Sequence, residues 1–344
     1  MGTQTIELAA APLTTHSNWI ISEREDLTWF IGSSLAGYLA LALMVAGFPF
    51  TPLFLVWLVG IDGPHVLATF TRTYFDKSER KNLGPMLWMI IPAMLVGPIA
   101  VAAGYEQLFY LAAVSWLHFH IAKQHFGFVM LYKHKNRERS RFDYHLDRYF
   151  LLASLMVPYV RFVLATAEPT RTSPVAQGIN ELLVIAYVLL AVFYIGCQVY
   201  KARSGAALNT PKMLLMASVV PLQWLAFGYA ATFGFAGIVR AGIILGLFHS
   251  FQYHRLMWFH NHNRYSDPES ESRYGLAATL ARRFAYYALT ALALNLVLNV
   301  LPPRVLPATP LKAAVWGFAF MHYLLDARIW RVRGNRELAA ALHL

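Results

Sequence analysis

Residues Gln107 to Tyr132 read QLFYLAAVSWLHFHIAKQHFGFVMLY, an unbroken apolar stretch with one formally charged residue, Lys123, and three histidines, His118, His120 and His125. A helix needs about 20 consecutive apolar residues to cross a bilayer core. An ionisable group inside such a run is costly and marks function. The stretch therefore predicts a membrane-spanning helix that carries part of a polar site.

The pattern recurs along the chain. Asp62 and His65 lie in a second apolar run, His249, His254, His260 and His262 in or at the end of a third, and His322 with Asp326 in a fourth. The whole chain is apolar in the same way: 57% of its 344 residues are hydrophobic and 14% charged. That balance excludes an ordinary soluble domain.

Ten predicted spans follow, at Ile31 to Phe48, Leu53 to Phe70, Met86 to Ala103, Gln107 to Tyr132, Tyr149 to Ala165, Leu182 to Tyr200, Met213 to Phe233, Ala236 to Phe259, Phe284 to Leu301 and Leu311 to Trp330. The fold class is all-α, a polytopic transmembrane bundle. Residues 1–26 form an N-terminal segment, 27–333 one helical domain and 334–344 a tail.

Basic residues set the orientation, because Lys and Arg accumulate in cytoplasmic loops. They cluster after the even spans, at Arg72 to Lys81, Lys133 to Arg141, Lys201 to Lys212, Arg255 to Arg283 and Arg328 to Arg336, against Arg171, Arg304 and Lys312 on the other side. An even number of spans with both termini in the cytoplasm satisfies every loop. The same asymmetry accounts for the net charge of +11. Positive residues at span ends reach anionic headgroups, so nucleic acid is not expected as a partner.

No cleavable signal peptide is expected, since no basic segment leads into an apolar core within the first 26 residues. The single cysteine, Cys197, rules out an intramolecular disulfide and a thiolate cluster. A metal here would be held by imidazole and carboxylate. The localisation expected is an integral membrane protein of the bacterial inner membrane.

The histidines of the even spans fall in their second halves and converge on the cytoplasmic side. Helical geometry then sorts them. His118 and His125 share a face, while His120 points away from His118 by roughly 160°. Asp62 with His65 and His322 with Asp326 are spaced to project together. His249 and His254 diverge by about 140°, so one centre takes both only if the helix is distorted or two centres exist.

A lone histidine in a bundle is more often an interhelical hydrogen bond than a ligand. Several at one depth on four helices reverse that balance. The metal candidates are His65, His118, His120, His125, His249, His254, His322, Asp62 and Asp326, with His260 and His262 at the membrane edge as further candidates. His134, His145 and His343 lie in polar segments and read as solvated. Trp57, Trp116, Trp258 and Trp316 read as packing or interface anchors.

Four segments carry a family resemblance: GPHVLATF around His65, LHFHIAKQHFGF from Leu117, FHSFQYHRLMW around His249 and His254, and MHYLLDARIW around His322. In type and order they resemble the histidine segments of the Brp/Blh family of membrane beta-carotene dioxygenases. The likeness covers these short segments alone, and the His249 and His254 pair has four intervening residues where the family has three. It implies an all-helical membrane enzyme using non-haem iron and O2 to cleave a carotenoid. The implied ligands are His65, one of His118 or His125, His249 and His254, with His322 near the site. HIAKQH (His120 to His125) and HSFQYH (His249 to His254) are also similar to the first histidine box of the fatty-acid desaturase and hydroxylase families, which implies a di-iron centre.

Nitrogen and oxygen ligands with an open position suit non-haem Fe(II), and zinc accepts the same set. The expectation is an O2-dependent oxygenase with one or two iron ions, a lipophilic substrate drawn from membrane lipid and a reductase as a potential electron source. Asp62, Asp326, Gln124 and Gln252 are expected to orient the imidazoles. The alternatives are a membrane electron-transfer protein binding haem b between histidine pairs, and a transporter using His and Asp as relays.

Overall fold

The computed structural model describes residues 15–16, 18–267, 269–301 and 309–344. Helix covers all ten predicted spans: α1 (Glu23–Val45), α2 (Phe50–Arg72), α3 (Lys77–Ala102), α4 (Glu106–Lys135), α5 (Arg141–Thr166), α6 (Pro174–Arg203), α7 (Thr210–Ala231), α8 (Gly234–Arg264), α9 (Phe284–Val300) and α10 (Thr309–Ile329). Seven of them, α1 to α3 and α5 to α8, are long and apolar enough to cross a membrane. The protein is an all-α integral membrane protein. In the rest, α4 is diluted by its histidines and flanking lysines, and α9 is short. Strand is confined, among the described residues, to Thr15–His16 paired in parallel with Leu208–Asn209. Most of the N-terminal segment, and Arg304 between α9 and α10, lie outside the described residues.

α8 is the hub, packed against α1, α2, α4 and α7. Its apolar side chains Ile243, Ile244, Leu245 and Phe248 sit in the main core with Val219, Leu222 and Ala226 of α7 and Phe128 and Val129 of α4. α10 lies along α3, and a Cβ on Gly317 or on Gly97 would collide with the backbone of Met94 or Ala313 respectively. Small residues on both helices let the backbones close up, a contact that holds helices together where lipid removes the hydrophobic drive.

The C-terminal ends of α2, α4, α6, α8 and α10 gather at one end of the bundle, tied by polar contacts. Arg72 donates to the Ile329 carbonyl (2.7 Å), Arg264 pairs with Glu337 (2.7 Å), and Lys201 meets Asp143. Asn18 bonds to Asn136, and Lys135 to the His343 carbonyl, so both described chain ends lie here too.

The basic residues are not all aimed at headgroups, as the sequence suggests. Lys133 and Lys212 are 4% and 1% exposed and share the carboxylates of Asp147 and Glu138. Arg72 is buried with its guanidinium 4.4 Å from the Trp330 ring centre. Position at a helix end does not distinguish a snorkelling cation from one buried against a carboxylate or ring on the next helix.

Candidate metal centre

α2 is not a regular helix. Residues Val56–Asp62 are π-helical, and α-helix resumes at Gly63. The Gly63 N–H reaches Leu58 in that wider ladder, but Pro64 has no N–H to offer Val59. Asn295 of α9 compensates: its Nδ2 lies 3.1 Å from both the Leu58 and Val59 carbonyls. Gly63 is required beside it, since a Cβ there would overlap the Asn295 amide. His254 meets the same turn, with Nε2 3.1 Å from the Ile61 carbonyl and Nδ1 2.9 Å from the Tyr287 hydroxyl. A distorted turn with outside partners for its carbonyls delivers His65 inward.

Four imidazoles meet there. His65 from α2 and His249 from α8 face each other with Nε2 atoms 3.1 Å apart. His322 from α10 lies with its ring 4.6 Å from His65, and His120 from α4 with its ring 4.8 Å from His322 and 5.1 Å from His249. All four are buried. Ligand atoms of His65, His120 and His249 lie within 4.8 Å of one another, and so do those of His120, His322 and Asp326.

The hydrogen bonds around His322 aim it. Thr69 Oγ1 is 2.6 Å from His322 Nδ1 and donates toward Asp326 Oδ1 at 3.4 Å, while the Tyr253 hydroxyl donates to the same oxygen at 2.9 Å. With Thr69 donating to Asp326, its oxygen is left to accept from His322 Nδ1, the tautomer that leaves Nε2 bare. A carboxylate and hydroxyl behind an imidazole fix its tautomer and raise its basicity as a ligand. Asp326 keeps Oδ2 on the inner side, 4.0 Å from His120 Nε2.

The residues fit a metal ion. The buried nitrogens His120 Nε2 and His322 Nε2 have no hydrogen-bond partner in the protein, an expensive condition for polar atoms in an apolar bundle, and His65 Nε2 and His249 Nε2 face each other. With bonds of about 2.0 to 2.1 Å, two nitrogens on one ion stand roughly 3.0 to 3.4 Å apart at right-angled or tetrahedral geometry. The His65 and His249 pair matches that span.

The other candidates go elsewhere. His118 turns from the centre, with Nε2 2.9 Å from the Leu155 carbonyl and its ring stacked on Tyr159, as its opposition to His120 on α4 requires. His125 is buried beside Phe248 and belongs to neither ligand group. His254 spends both nitrogens on Ile61 and Tyr287, because α8 stays regular and sends it away from His249. Asp62 accepts from Ser250 Oγ at 2.8 Å and braces α2 against α8. His260 is buried, bonded to Asn261 and edge-on to Trp330, and His262 is exposed and stacked on Trp258. Gln124 and Gln252 serve backbone, not imidazole nitrogens: Gln124 donates to the His249 carbonyl and Gln252 to that of Phe30. His134, His145 and His343 are exposed.

Of three residues missed in the sequence, two share a signature. Thr69 is four residues after His65 and Tyr253 four after His249, whereas Asn295 is one of two amides, with Asn299, in an apolar run. A polar residue one turn beyond a buried histidine is placed to support the site, as Asp326 is after His322.

No family model, curated protein or solved structure matches the chain.

Proposed function

We propose that the protein is a membrane-embedded non-haem iron oxygenase acting on a lipid-soluble substrate. One observation carries the reading: four helices bring four imidazoles and a carboxylate together as two ligand groups that share His120, at the wall of an apolar cleft of about 870 Å³. The cleft runs between α4 and the C-terminal end of α10, and both His120 and Asp326 line it.

His65, His120, His249 and His322 hold one ion, with Asp326 Oδ2 close enough to join. One ion is favoured over two because the two ligand groups share His120, whose Nε2 serves one metal at a time. A 3.1 Å separation also disfavours haem between His65 and His249, since axial nitrogens on opposite sides of one iron stand about 4 Å apart. Iron with histidine ligands and an open position supplies O2 activation when bound. Thr69, Tyr253 and Asp326 hold His322 in its ligating tautomer, and Tyr323 stacks on His120 to fix its ring. Trp116 and Phe119, both part-exposed on α4, offer the substrate a way in from lipid.

Ten spans with cytoplasmic termini in a bacterial inner membrane fit the basic end described above and put the centre near the cytoplasmic face, within reach of a reductase. Carotenoid cleavage is what the histidine-segment resemblance implies, and another membrane lipid is the alternative substrate for an apolar cleft. Protein purified from iron-sufficient cells should contain about one iron per chain by elemental analysis and show no Soret band. Absence of any transition metal, or a Soret band, refutes the proposal.

A further inference from the structure

The cleft at the candidate centre is apolar along its length but one-sided in charge. Asp326, at its inner end, is the one carboxylate side chain lining it, whereas Lys123, Arg331 and Arg333 line it as cations. All three are exposed, and among the described residues none of them forms an ion pair. The preference of loops for basic residues accounts for Arg331 and Arg333, which follow α10. It does not account for Lys123, which lies inside α4, twelve residues before Lys135. A lysine there, one turn from His120 and 5.1 Å from the Phe126 ring centre, is a cation set in an apolar stretch and open to the cleft, which points to a ligand.

The order of groups along the cleft is that of a lipid in a leaflet. Trp116 and Phe119 lie on the bilayer side of His120, and the cations lie on the other. At 1.5 Å per residue, Lys123 is ~4.5 Å beyond His120 along α4, and Arg331 and Arg333 follow the end of α10 at Ile329, past Asp326. Resting on the oxygenase reading of the same centre, we infer that the substrate is a single-chain amphiphile with an anionic head, carboxylate or phosphate. Its head sits among Lys123, Arg331 and Arg333, and its chain passes the metal ligands and leaves past Trp116 and Phe119. The carbon presented to the centre is then in the head-proximal part of the chain. A neutral carotenoid has nothing to offer the three cations.

Binding of radiolabelled oleate, 1-oleoyl lysophosphatidate and the neutral oleyl alcohol to purified protein in a neutral detergent tests this. At least one acid should bind ten-fold or more tightly than the alcohol, with the advantage shrinking as salt rises; which acid does so identifies the head. The triple variant Lys123→Gln, Arg331→Gln, Arg333→Gln should lose the advantage, and the charge-keeping Lys123→Arg, Arg331→Lys, Arg333→Lys should retain it. Arg203→Gln, a basic residue at the end of α6 outside the cleft, should retain it as well. Equal binding of alcohol and acids overturns the inference, as does an acid preference that the triple variant keeps or that Arg203→Gln abolishes. Iron content is read on the same samples. Iron without acid preference removes this inference alone; acid preference without iron removes the oxygenase reading alone.

Discussion

His254 Nε2 lies 3.1 Å from the Ile61 carbonyl, so a histidine of α8 supports a backbone defect in its neighbour. Its companion His249, five residues earlier on α8, is at the centre. The two roles predict opposite losses. His249→Ala should leave less than a tenth of the wild-type iron in a folded protein, since each helix keeps its own backbone hydrogen bonds. His254→Leu should keep most of its iron but lose about 1 to 3 kcal/mol of stability through the orphaned Ile61 carbonyl. Elemental analysis and thermal unfolding in detergent check both, and equal iron in the two variants would show that the ligand assignment is wrong.

Thr69 touches no metal position yet connects His322 to Asp326. Thr69→Val keeps the shape and removes the hydroxyl. Iron affinity should fall about 10- to 100-fold, the usual effect of losing a partner behind a metal-bound imidazole. Thr69→Ser should restore most of it. Chelator competition measures the change, and a Val variant that holds iron like the wild type would contradict the role given to this contact.

Lys133, Lys212, Asp147 and Glu138 bind α4, α5 and α7 together at the basic end. Asp147→Asn leaves two buried ammonium groups short of charge and should cost about 3 to 5 kcal/mol, the range for breaking a buried pair by removing one partner. Replacing the exposed Arg137 by Gln should cost nothing measurable. Comparable unfolding temperatures for the two variants would refute the network's importance.

Glu138, in the loop after α4, gives this end a pH dependence. Burial alone would raise its pKa, but the ammonium groups of Lys212 and Lys133 outweigh burial and hold the carboxyl below its usual value. A depressed carboxyl contributes stability that is complete above the unfolded pKa of about 4.3 and is lost as pH falls through the folded value. Unfolding temperature should therefore lose a Glu138-dependent part below about pH 4.3. Glu138→Gln should be less stable at pH 7 and less sensitive to that acidification; an unchanged acid limb would disprove the linkage.

How much of this was legible in the residues depends on what each residue needed to be read. Span positions came from unbroken apolar runs, which need no partner. The opposition of His118 and His120 came from helical rotation, and the structure indeed turns one to Leu155 and the other to the centre. The divergence of His249 and His254 was legible too, but its purpose was not, because it depends on a carbonyl in the distorted turn of another helix. Lys212 read as a headgroup contact because its carboxylate partners are remote in sequence, and Lys133 because the turn that brings Glu138 back to it lies beyond the end of α4. Gln124 and Gln252 were placed correctly in the bundle, but their bonding to backbone is a matter of side-chain reach that spacing does not show.

The π-helical segment of α2 decides what that helix offers its neighbours. A π turn takes in one residue more than an α turn, so Val56–Asp62 absorbs an extra residue without turning the rest of the helix. Deleting one residue there would let α2 become regular with His65 still near its present side of the helix. What the deletion would remove is the opened ladder whose carbonyls Asn295 and His254 meet. The additional residue is therefore a device for docking other helices through the backbone, separate from the side chains that point to the centre.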